Sequence, residues 1–479
     1  MFSISRAQES HATLSWEQSA GGENYRTGSH IPVVKYRVGG EVKSANVTGN
    51  PGFVTMEVQS VRKNGKKRKN KGALIHFNLN EKKVNWTRDL HFRKNRSMKL
   101  GNTIFLWEEG LMYRLDMETG ENKYGVDYDL FYIDPWSTIA VGYPPGYYSK
   151  LEGIDLQNGI TLWHREISNE YGWNDAFFLN DSVLLVLASG LHTVNIHNGN
   201  GWDYEAVTGY YKFDGQLIYD AISNLLEDDL YYYFATHDKI AKIAKETGRV
   251  QWNYYFYKKK GSRSYIFGDG ARIYMINTGS AKSGNSIVAS SSPFLAAFDA
   301  KTAVQYYETR LLMKNGLMKD YSLNGEKLFI LYNRAVSLLD IRKGKRKGNF
   351  RYFQRKAGVF TRFVNDHYVK EGDRMDLLSD KYPEKLFIET DKGLLISLDT
   401  DGNFNALQSA TDLYEKFYET EEIVVLANDK NMLFFDKEGI CIGEINAGKN
   451  SILSGTKLYD MSGNDILEFD ISSFFHIPE

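Results

Sequence analysis

Residues 151–163 have the sequence LEGIDLQNGITLW, and this stretch contains the pattern that decides the fold. An apolar run leads into Asp155, Gly159 follows four residues later, and Trp163 follows after four more. An Asp side chain caps a tight turn by bonding to the backbone, and glycine supplies the positive φ that the turn needs. The stretch therefore predicts two antiparallel strands joined by a tight turn, with Trp163 starting the outgoing strand.

The same pattern recurs along most of the chain. Aromatic residues such as Trp86 and Trp252 follow the turns as Trp163 does, and we predict that their rings cover the gaps between neighbouring sheets. The capping positions are 78, 116, 155, 195, 244, 299, 340, 399 and 436, with spacings between 37 and 59 residues. A period of roughly 40–50 residues is typical of propeller arrays. The repeated acids therefore indicate turn capping rather than a catalytic pair, which would be unique.

Between the turns the residues alternate as they do in antiparallel strands. Within 97–130, strands are predicted at 97–100, 103–107, 111–115 and 122–126. The same four-strand pattern fits 173–206, 212–255 and 421–446, while residues 411–419 fit either a helical turn or a strand. No segment has the periodicity of a long amphipathic helix, so we predict an all-β fold.

We predict that residues 1–479 form a single large β-propeller domain of four-stranded antiparallel blades. Residues 41–446 hold the repeats. Residues 447–479 supply three more strands, and a strand near Ala12–Gln18 within residues 1–40 completes that blade and closes the ring. Literal counting gives nine or ten blades. Because typical propellers have four to eight, we expect about eight, with one or two hairpins as decorations.

The motif around residue 116 carries a family resemblance. Asp116, Thr119, Gly120 and Tyr124, and with variation residues 244–252, resemble the Asp-x-x-Thr-Gly-x-x-x-Trp blade motif of the quinoprotein-like (PQQ-like, WD40-like) β-propellers. The resemblance covers about residues 41–446 and implies the fold. It does not imply one activity, because this family contains dehydrogenases, assembly scaffolds and pure binding modules. Many of its dehydrogenases carry a vicinal cysteine pair over the cofactor, which this chain lacks, so we expect no quinone cofactor.

Composition and motif searches narrow the function further. Lys and Arg number 59 against 60 Asp and Glu, which argues against a general nucleic-acid or membrane-surface binder. The N-terminal residues lack an apolar core of signal-peptide length and no stretch could span a bilayer, so we expect a cytoplasmic protein. Cys441 is the only cysteine and is predicted to be a buried hydrophobe, and His192 and His197 are predicted to be structural or surface residues. No phosphate loop, zinc helix or nucleophile elbow occurs, which favours a protein that is not an enzyme and has no cofactor or metal.

Strand order predicts where a partner would bind. In a four-stranded blade, the second-to-third loop and the blade-to-blade loop open on one face. Segments 62–71, 143–148 and 279–293 are predicted second-to-third loops, and 257–261 is a predicted blade-to-blade loop. Loops held by a rigid scaffold commonly carry binding residues. The predicted contact residues are Lys63, Lys66, Lys67, Arg68, Lys69, Tyr143, Tyr147, Tyr148, Tyr257, Lys258, Lys259 and Lys260.

These observations favour a non-catalytic propeller that recognises a macromolecular partner, most simply a protein, as a toxin-neutralising or an assembly protein would. The plainer alternative is that the Lys-rich loops are only solvated turns without a binding role. A carbohydrate-binding protein or enzyme with a site at the central channel is another, since aromatic faces stack on sugars. The basic loops also suit an acidic partner or nucleic acid. Residues 342–347 and 365–385 are predicted on the opposite face. For 365–385, which contains Asp366 and His367, the alternatives are a cap of the channel mouth, a partner contact or a solvated loop, and the solvated loop is favoured.

Overall fold

The described residues form mainly β-strands and almost no helix. Within the described residues, helical segments are limited to Leu378–Lys381 and two 3-10 turns, Arg355–Ala357 and Ser472–Phe474. The structure, a computed structural model, describes residues 15–475 except 48–51, 63, 65, 102, 128, 134–137, 145–149, 168–174, 189, 206–211, 214–215, 218–222, 236–238, 257–263, 284–285, 291, 313–315, 410–412 and 463. The prediction of an all-β fold is confirmed.

The strands are grouped in chain order into antiparallel sheets of four, numbered here from 1 to 10. Sheet 1 contains Gly40–Val47, Phe53–Val61, Lys67–Asn78 and Lys83–His91. Sheet 2 contains Arg96–Leu100, Thr103–Glu108, Leu111–Leu115 and Asn122–Val126. Sheet 3 contains Asp129–Ile133, Ile139–Tyr143, Lys150–Asp155 and Thr161–Glu166. Sheet 4 contains Asp175–Asn180, Val183–Leu187, Gly190–Asn195 and Asp203–Glu205.

The next sheets continue this order, with two short hairpins inserted. Sheet 5 contains Leu226–Glu227, Tyr231–Ala235, Lys239–Ala244 and Val250–Tyr255, and is preceded by a hairpin of Lys212–Phe213 and Gln216–Leu217. Sheet 6 contains Ser264–Gly268, Arg272–Asn277, Phe294–Asp299 and Gln305–Arg310, with the hairpin Ser280–Ser283 and Ser286–Ser290 between its second and third strands. Sheet 7 contains Asp320–Asn324, Lys327–Leu331, Ala335–Asp340 and Lys345–Arg351.

The last three sheets contain the main departures from the repeat. Sheet 8 contains Phe360–Phe363, Leu386–Thr390, Leu394–Leu398 and Phe404–Ser409, and the hairpin Tyr368–Glu371 and Arg374–Leu377 follows its first strand. Sheet 9 contains Leu413–Glu419, Ile423–Ala427, Met432–Asp436 and Cys441–Ile445. Sheet 10 contains Ile452–Ser454, Lys457–Ser462 and Asp465–Asp470, with Ser29–Arg37 as its fourth strand.

Both ends of the chain contribute to sheet 10, as predicted, but a different N-terminal strand does so. Ser29–Arg37 pairs with Asp465–Asp470, whereas the prediction placed this strand near Ala12–Gln18. Ser29–Arg37 is buried on both faces, with Ile31 and Val33 in the cluster shared with sheet 9 and Tyr36 in the cluster shared with sheet 1, while residues 15–20 are exposed. Ser15–Asn24 is instead a fifth strand that pairs with Ser29–Arg37 and also with Cys441–Ile445 of sheet 9, so sheets 9 and 10 are continuous.

The described residues therefore contain ten four-stranded units, two of them joined, where about eight were expected. The four strands predicted within 97–130 are those of sheet 2. Residues 413–419, for which a helical turn was also considered, form a strand. Each hairpin counted in the sequence belongs to one of these units, which agrees with the literal count of nine or ten.

The Asp residues cap turns between third and fourth strands, as predicted. Asp155 Oδ1 accepts a hydrogen bond from the Gln157 amide at 2.6 Å, and Asp299 Oδ1 accepts one from the Thr302 amide at 2.8 Å. Gly159 has a φ of 77°, in the left-handed region that favours glycine, and donates its amide to the Asp155 carbonyl. These turns bring the following aromatic residue to the start of the fourth strand.

Each of these aromatic rings packs on the turn of the next sheet. The Trp163 ring of sheet 3 lies against Gly199 of sheet 4, and its indole N–H donates to the Ile196 carbonyl at 2.7 Å. Trp86 does the same at Gly120, with a bond of 2.9 Å to the Met117 carbonyl. The ring buries apolar area while its polar atom satisfies a turn carbonyl.

This ring-on-turn contact recurs at seven consecutive junctions. Where the turn residue is glycine, the ring occupies the space that a Cβ would take. The pairs are Trp86 on Gly120, Tyr124 on Gly159, Trp163 on Gly199, Trp202 on Gly248, Trp252 on the Ala300 carbonyl beside Ala303, Tyr307 on Gly344, and Phe350 on Gly402. Except for Phe350, each aromatic side chain also donates a hydrogen bond to a carbonyl of the same turn.

Hydrophobic clusters connect successive sheets in the same order. Leu74 of sheet 1 packs in one cluster with Ile104 of sheet 2, and the following pairs of sheets share clusters in the same way. Sheet 10 also packs against sheet 1, since Tyr459 and Ile466 share a cluster with Met56. The core is therefore a series of layers between sheets rather than one central mass.

The junction between sheets 8 and 9 is built differently. The turn glycine of sheet 9, Gly439, has open space where a ring would lie, and Phe404 packs instead beside Tyr352 and Phe360. The inserted hairpin occupies this junction: Tyr368 packs against the cluster of sheet 9 that includes Leu426. The hairpin thus replaces the aromatic contact used at the earlier junctions.

The contribution of the ring contact to stability can be measured by comparing Gly199, which has the contact, with Gly439, which lacks it. The backbone conformation is the same at both, with φ of 75° and 77°. A Cβ at residue 199 would lie 2.7 Å from the Trp163 ring, whereas one at residue 439 would meet nothing within 4 Å. We expect Gly439→Ala to lower the free energy of unfolding in urea by about 1 kcal/mol through backbone strain alone. Gly199→Ala should cost about 2–4 kcal/mol because the ring must also move. Equal losses would contradict the ring-on-turn contact as a determinant of stability.

His76 stacks on Trp86, the ring at the junction of sheets 1 and 2, and its contribution to stability should depend on pH. Its ring is stacked between Phe53 and Trp86, and burial lowers its pKa to about 4. The unfolded chain therefore binds the proton more readily, so this contribution is complete above pH 6.5 and is lost as the pH falls toward 4. We expect the wild type to lose about 3 kcal/mol more than His76→Gln between pH 7 and pH 4 in urea unfolding. Parallel curves for the two proteins would contradict a neutral buried His76.

Candidate functional site

Strand order places the connections at two opposite ends of each sheet. We call the end with the second-to-third and sheet-to-sheet connections the loop end, and the other the turn end. Of the predicted loop segments, 62–71 and 279–293 lie in or beside second-to-third connections at the loop end, 143–148 begins at the last residue of a second strand, and 257–261 lies outside the described residues. The length of a connection is counted here between consecutive strands of the ten sheets, and an inserted hairpin counts as part of its connection. Of the seven connections of eight or more residues, six belong to the loop end: 167–174, 206–225, 256–263, 278–293, 311–319 and 352–359.

The basic residues of sheet 1 lie at the loop end and are exposed. Lys66 is in the connection, while Lys67, Arg68 and Lys69 begin the third strand, so the loop is shorter than predicted. Lys67 forms an ion pair with Glu41 at 2.7 Å, which lowers the pKa of that carboxylate through the hydrogen bonds from Lys67 and Lys43. Lys63 lies outside the described residues.

The structure corrects the prediction that Tyr143 is an exposed contact residue. Tyr143 is the last residue of a strand, is 0% exposed, and donates its hydroxyl to the Ile167 carbonyl at 2.9 Å. It packs with Trp163 in the core between sheets 3 and 4 and cannot contact a partner. The prediction failed because Tyr143 continues the buried alternation of its strand. Six other predicted contact residues lie outside the described residues: Tyr147, Tyr148, Tyr257, Lys258, Lys259 and Lys260.

The sequence did not predict an aromatic residue at the loop end of sheets 7 and 8. Phe353 follows the last strand of sheet 7 and is 81% exposed, in a chain whose other aromatic side chains mostly pack between sheets. It precedes Lys356, whose carbonyl accepts a hydrogen bond from Lys392 in the second-to-third turn of sheet 8. Phe353 therefore stands beside the loop end of sheet 8. Exposed aromatics of this kind are common anchors in protein interfaces.

The same region contains a charged cavity of about 150 Å³ between sheets 8 and 9. Glu415, on the first strand of sheet 9, stands at its centre. Its Oε1 accepts from the Arg362 guanidinium at 3.1 Å, from His367 Nε2 at 3.2 Å and from the Lys449 ammonium at 3.1 Å. Arg362 also donates to Glu389 at 2.7 Å. The network ties the first strands of both sheets to the connection that follows sheet 9.

The cavity opens at the loop end. Gly393 belongs to the second-to-third turn of sheet 8, Asp429 to that of sheet 9, and Lys449 to the connection from sheet 9 to sheet 10. The walls below them are apolar, formed by Val364 and Leu413. No sequence motif joins these residues, because they come from five separate segments, so only the fold could bring them together.

Electrostatics in the cavity favour charged side chains. Burial by itself raises the pKa of Glu415, but hydrogen bonds from Lys449 and Arg362 and the positive charge of Lys449 outweigh it and lower the pKa to about 2. Burial lowers the pKa of Lys449, but its contact with Glu415 has the larger combined effect and raises it. His367, which the sequence placed in a capping loop or partner contact, is 5% exposed between Asp366 and Glu415.

Other predicted features have structural roles. Cys441 is buried in the fourth strand of sheet 9, and burial raises the pKa of its thiol. His192 is fully buried, with its Nδ1 2.7 Å from an Asp203 carboxylate oxygen. Among the described residues, no group of His, Cys, Asp and Glu side chains could hold a metal ion. Nor does any helix in that part of the chain have the length and apolar character required to cross a membrane.

Glu415→Gln tests the network. The lowered pKa means that Glu415 stabilises the fold fully above pH 4.5 and loses this effect as the pH falls toward 2. After screening by solvent, we expect the variant to lose about 1 kcal/mol in the free energy of unfolding at pH 7, with a smaller difference at pH 3. Glu419→Gln, on the same strand but exposed, is the control and should change little. A wild type and Glu415→Gln that differ equally at both pH values would contradict this role.

Comparisons with known proteins give no family. No family model matches the chain, and no curated protein matches it. Among solved structures, the chain is similar to BamB from Moraxella catarrhalis, with 12% identity, 74% of this chain and 95% of that chain covered, and a TM-score of 0.36. It is also similar to the computationally designed Ika8 protein, with 10% identity, coverage of 71% and 95%, and a TM-score of 0.33. At these values the likeness carries no functional argument, and the all-β architecture of serial four-stranded sheets, consistent with a propeller, stands on the strands themselves.

Proposed function

We propose that the ten sheets are the blades of a single closed β-propeller. Two observations support this. The ring-on-turn contacts and clusters join the sheets in chain order, and a cluster containing Tyr459 of sheet 10 and Met56 of sheet 1 joins the last sheet to the first. Ser29–Arg37, near the N-terminus, is the fourth strand of sheet 10, a type of closure that holds the two chain ends together. The loop ends of all ten sheets then form one face.

We further propose that this face binds a protein partner and that the molecule is a binding or scaffold protein rather than an enzyme. The observation that carries the proposal is the concentration of long connections at the loop end. Phe353 supplies an exposed aromatic anchor, and Lys66 to Lys69 supply exposed positive charge. A face of this kind has room for the roughly 800 Å² per partner of a standard interface. Toxin neutralisation or assembly remain candidate roles for it, and a cytoplasmic location remains a prediction of the sequence.

The central-channel alternative has less support. A sugar site needs aromatic faces that are accessible, but Trp86, Trp163 and Trp252 pack on the turns of neighbouring sheets. The described aromatics therefore serve mainly to join sheets. This favours the loop face over a carbohydrate site as the functional surface.

Site-specific photocrosslinking tests the loop face. A photoreactive phenylalanine analogue at position 353 or 68, in cells that naturally make the protein, should give one discrete adduct with a protein partner. The same analogue at Lys301, in an exposed turn at the opposite end of sheet 6, is the matched control and should give none. With the partner identified, Phe353→Ala should weaken binding about tenfold or more, as expected for an aromatic anchor. Adducts at 301 alone, or none at 353 and 68, would contradict the proposal.

A further inference from the structure

The cavity between sheets 8 and 9 has carboxylates that are only partly engaged. Glu415 accepts its three hydrogen bonds through Oε1, and Glu389 accepts one through Oε2. Asp429 contacts Lys449 through Oδ1 at 3.5 Å. Within the described part of the chain, the second oxygen of each of the three carboxylates therefore accepts no hydrogen bond from protein. All three residues line the same cavity.

The two cations of the cavity also keep hydrogen-bonding capacity. Arg362 donates through Nε and Nη2 and leaves Nη1 without a protein acceptor among the described residues. Lys449 has three N–H groups and contacts two carboxylates, those of Glu415 and Asp429. The existing ion pairs hold both cations in place, so the donors are oriented before any ligand arrives.

We propose that this cavity binds a free α-amino acid. An α-ammonium group has three N–H donors, which match the unused oxygens of Glu389, Glu415 and Asp429. The α-carboxylate has two oxygens, which match Nη1 of Arg362 and the remaining N–H of Lys449. Such charge-assisted bonds are the stronger kind in proteins.

The zwitterion fits this cavity better than a ligand with a single charge. It leaves the net charge of the cavity unchanged and gives each of its own charges an opposite partner. A simple carboxylate or a simple amine would engage only one of the two sets of groups and would lack the charge-assisted bonds to the other. The arrangement therefore selects for an ammonium and a carboxylate on the same small molecule.

Size and polarity narrow the ligand to amino acids with a small aliphatic side chain. The cavity is about 150 Å³, and its apolar wall consists of Val364, Leu413 and Ala427. This wall offers no described partner for a polar side chain.

Isothermal titration calorimetry on the purified full chain tests this assignment without the protein partner, so it can fail while the loop-face proposal stands, or the reverse. L-Valine should bind with one saturable site and raise the melting temperature. Valinamide, isovalerate and the dipeptide Gly-Val, which lack one charge or separate the two, should bind about tenfold or more weakly. Absence of valine binding at 50 mM, or equal binding of valinamide or isovalerate, would overturn the proposal.

Two variants locate the site. Asp429→Asn removes one carboxylate that contacts only Lys449 and is largely exposed, so the fold should persist, and valine affinity should fall about tenfold or more. Asp401→Asn, in an exposed third-to-fourth turn at the opposite end of sheet 8, is the matched control and should bind as the wild type does. Unchanged valine affinity in Asp429→Asn, or an equal loss in Asp401→Asn, would overturn the proposal.

Discussion

The structure depends on the contact between an aromatic ring and the turn of the next sheet. A single four-stranded sheet has two faces to cover and cannot bury them alone. Placing a ring on a glycine with positive φ lets two sheets approach closely while the ring's N–H or O–H satisfies a turn carbonyl, as Trp163 does at Gly199 and Ile196. Repetition of this contact orders the sheets along the chain, and the apolar clusters between them follow the same order.

The ring-on-turn contact joins sheets 1 to 8 in chain order, and the junctions after sheet 8 are built differently. Between sheets 8 and 9 the ring is absent, and the junction is held by the hairpin at residues 368–377 and by the ionic network around Glu415. At the loop end of this same junction, residues of both sheets and of the connection after sheet 9 line the charged cavity.

The two ends of the sheets have different physical tasks. At the turn end, short Asp-capped turns receive the rings. At the loop end, no such contact restricts the connections, so most of the long ones occur there. This division explains why Phe353 and the basic residues of sheet 1 are exposed at one end, while most of the aromatic content packs between sheets.

Local pattern determined the parts of this protein that depend on neighbouring residues. The all-β class, the four strands within 97–130, the Asp-capped turns, the packing of Trp86 and Trp163 and the ends of the sheets at which loops lie all follow from spacing and turn chemistry. The tertiary structure decided what depends on distant pairing: that Ser29–Arg37 rather than Ala12–Gln18 completes sheet 10, that Tyr143 is buried, and that there are ten sheets. It alone assembled the cavity from Arg362, Glu389, Glu415 and Lys449, because strand pairing and sheet packing join residues that no local pattern relates.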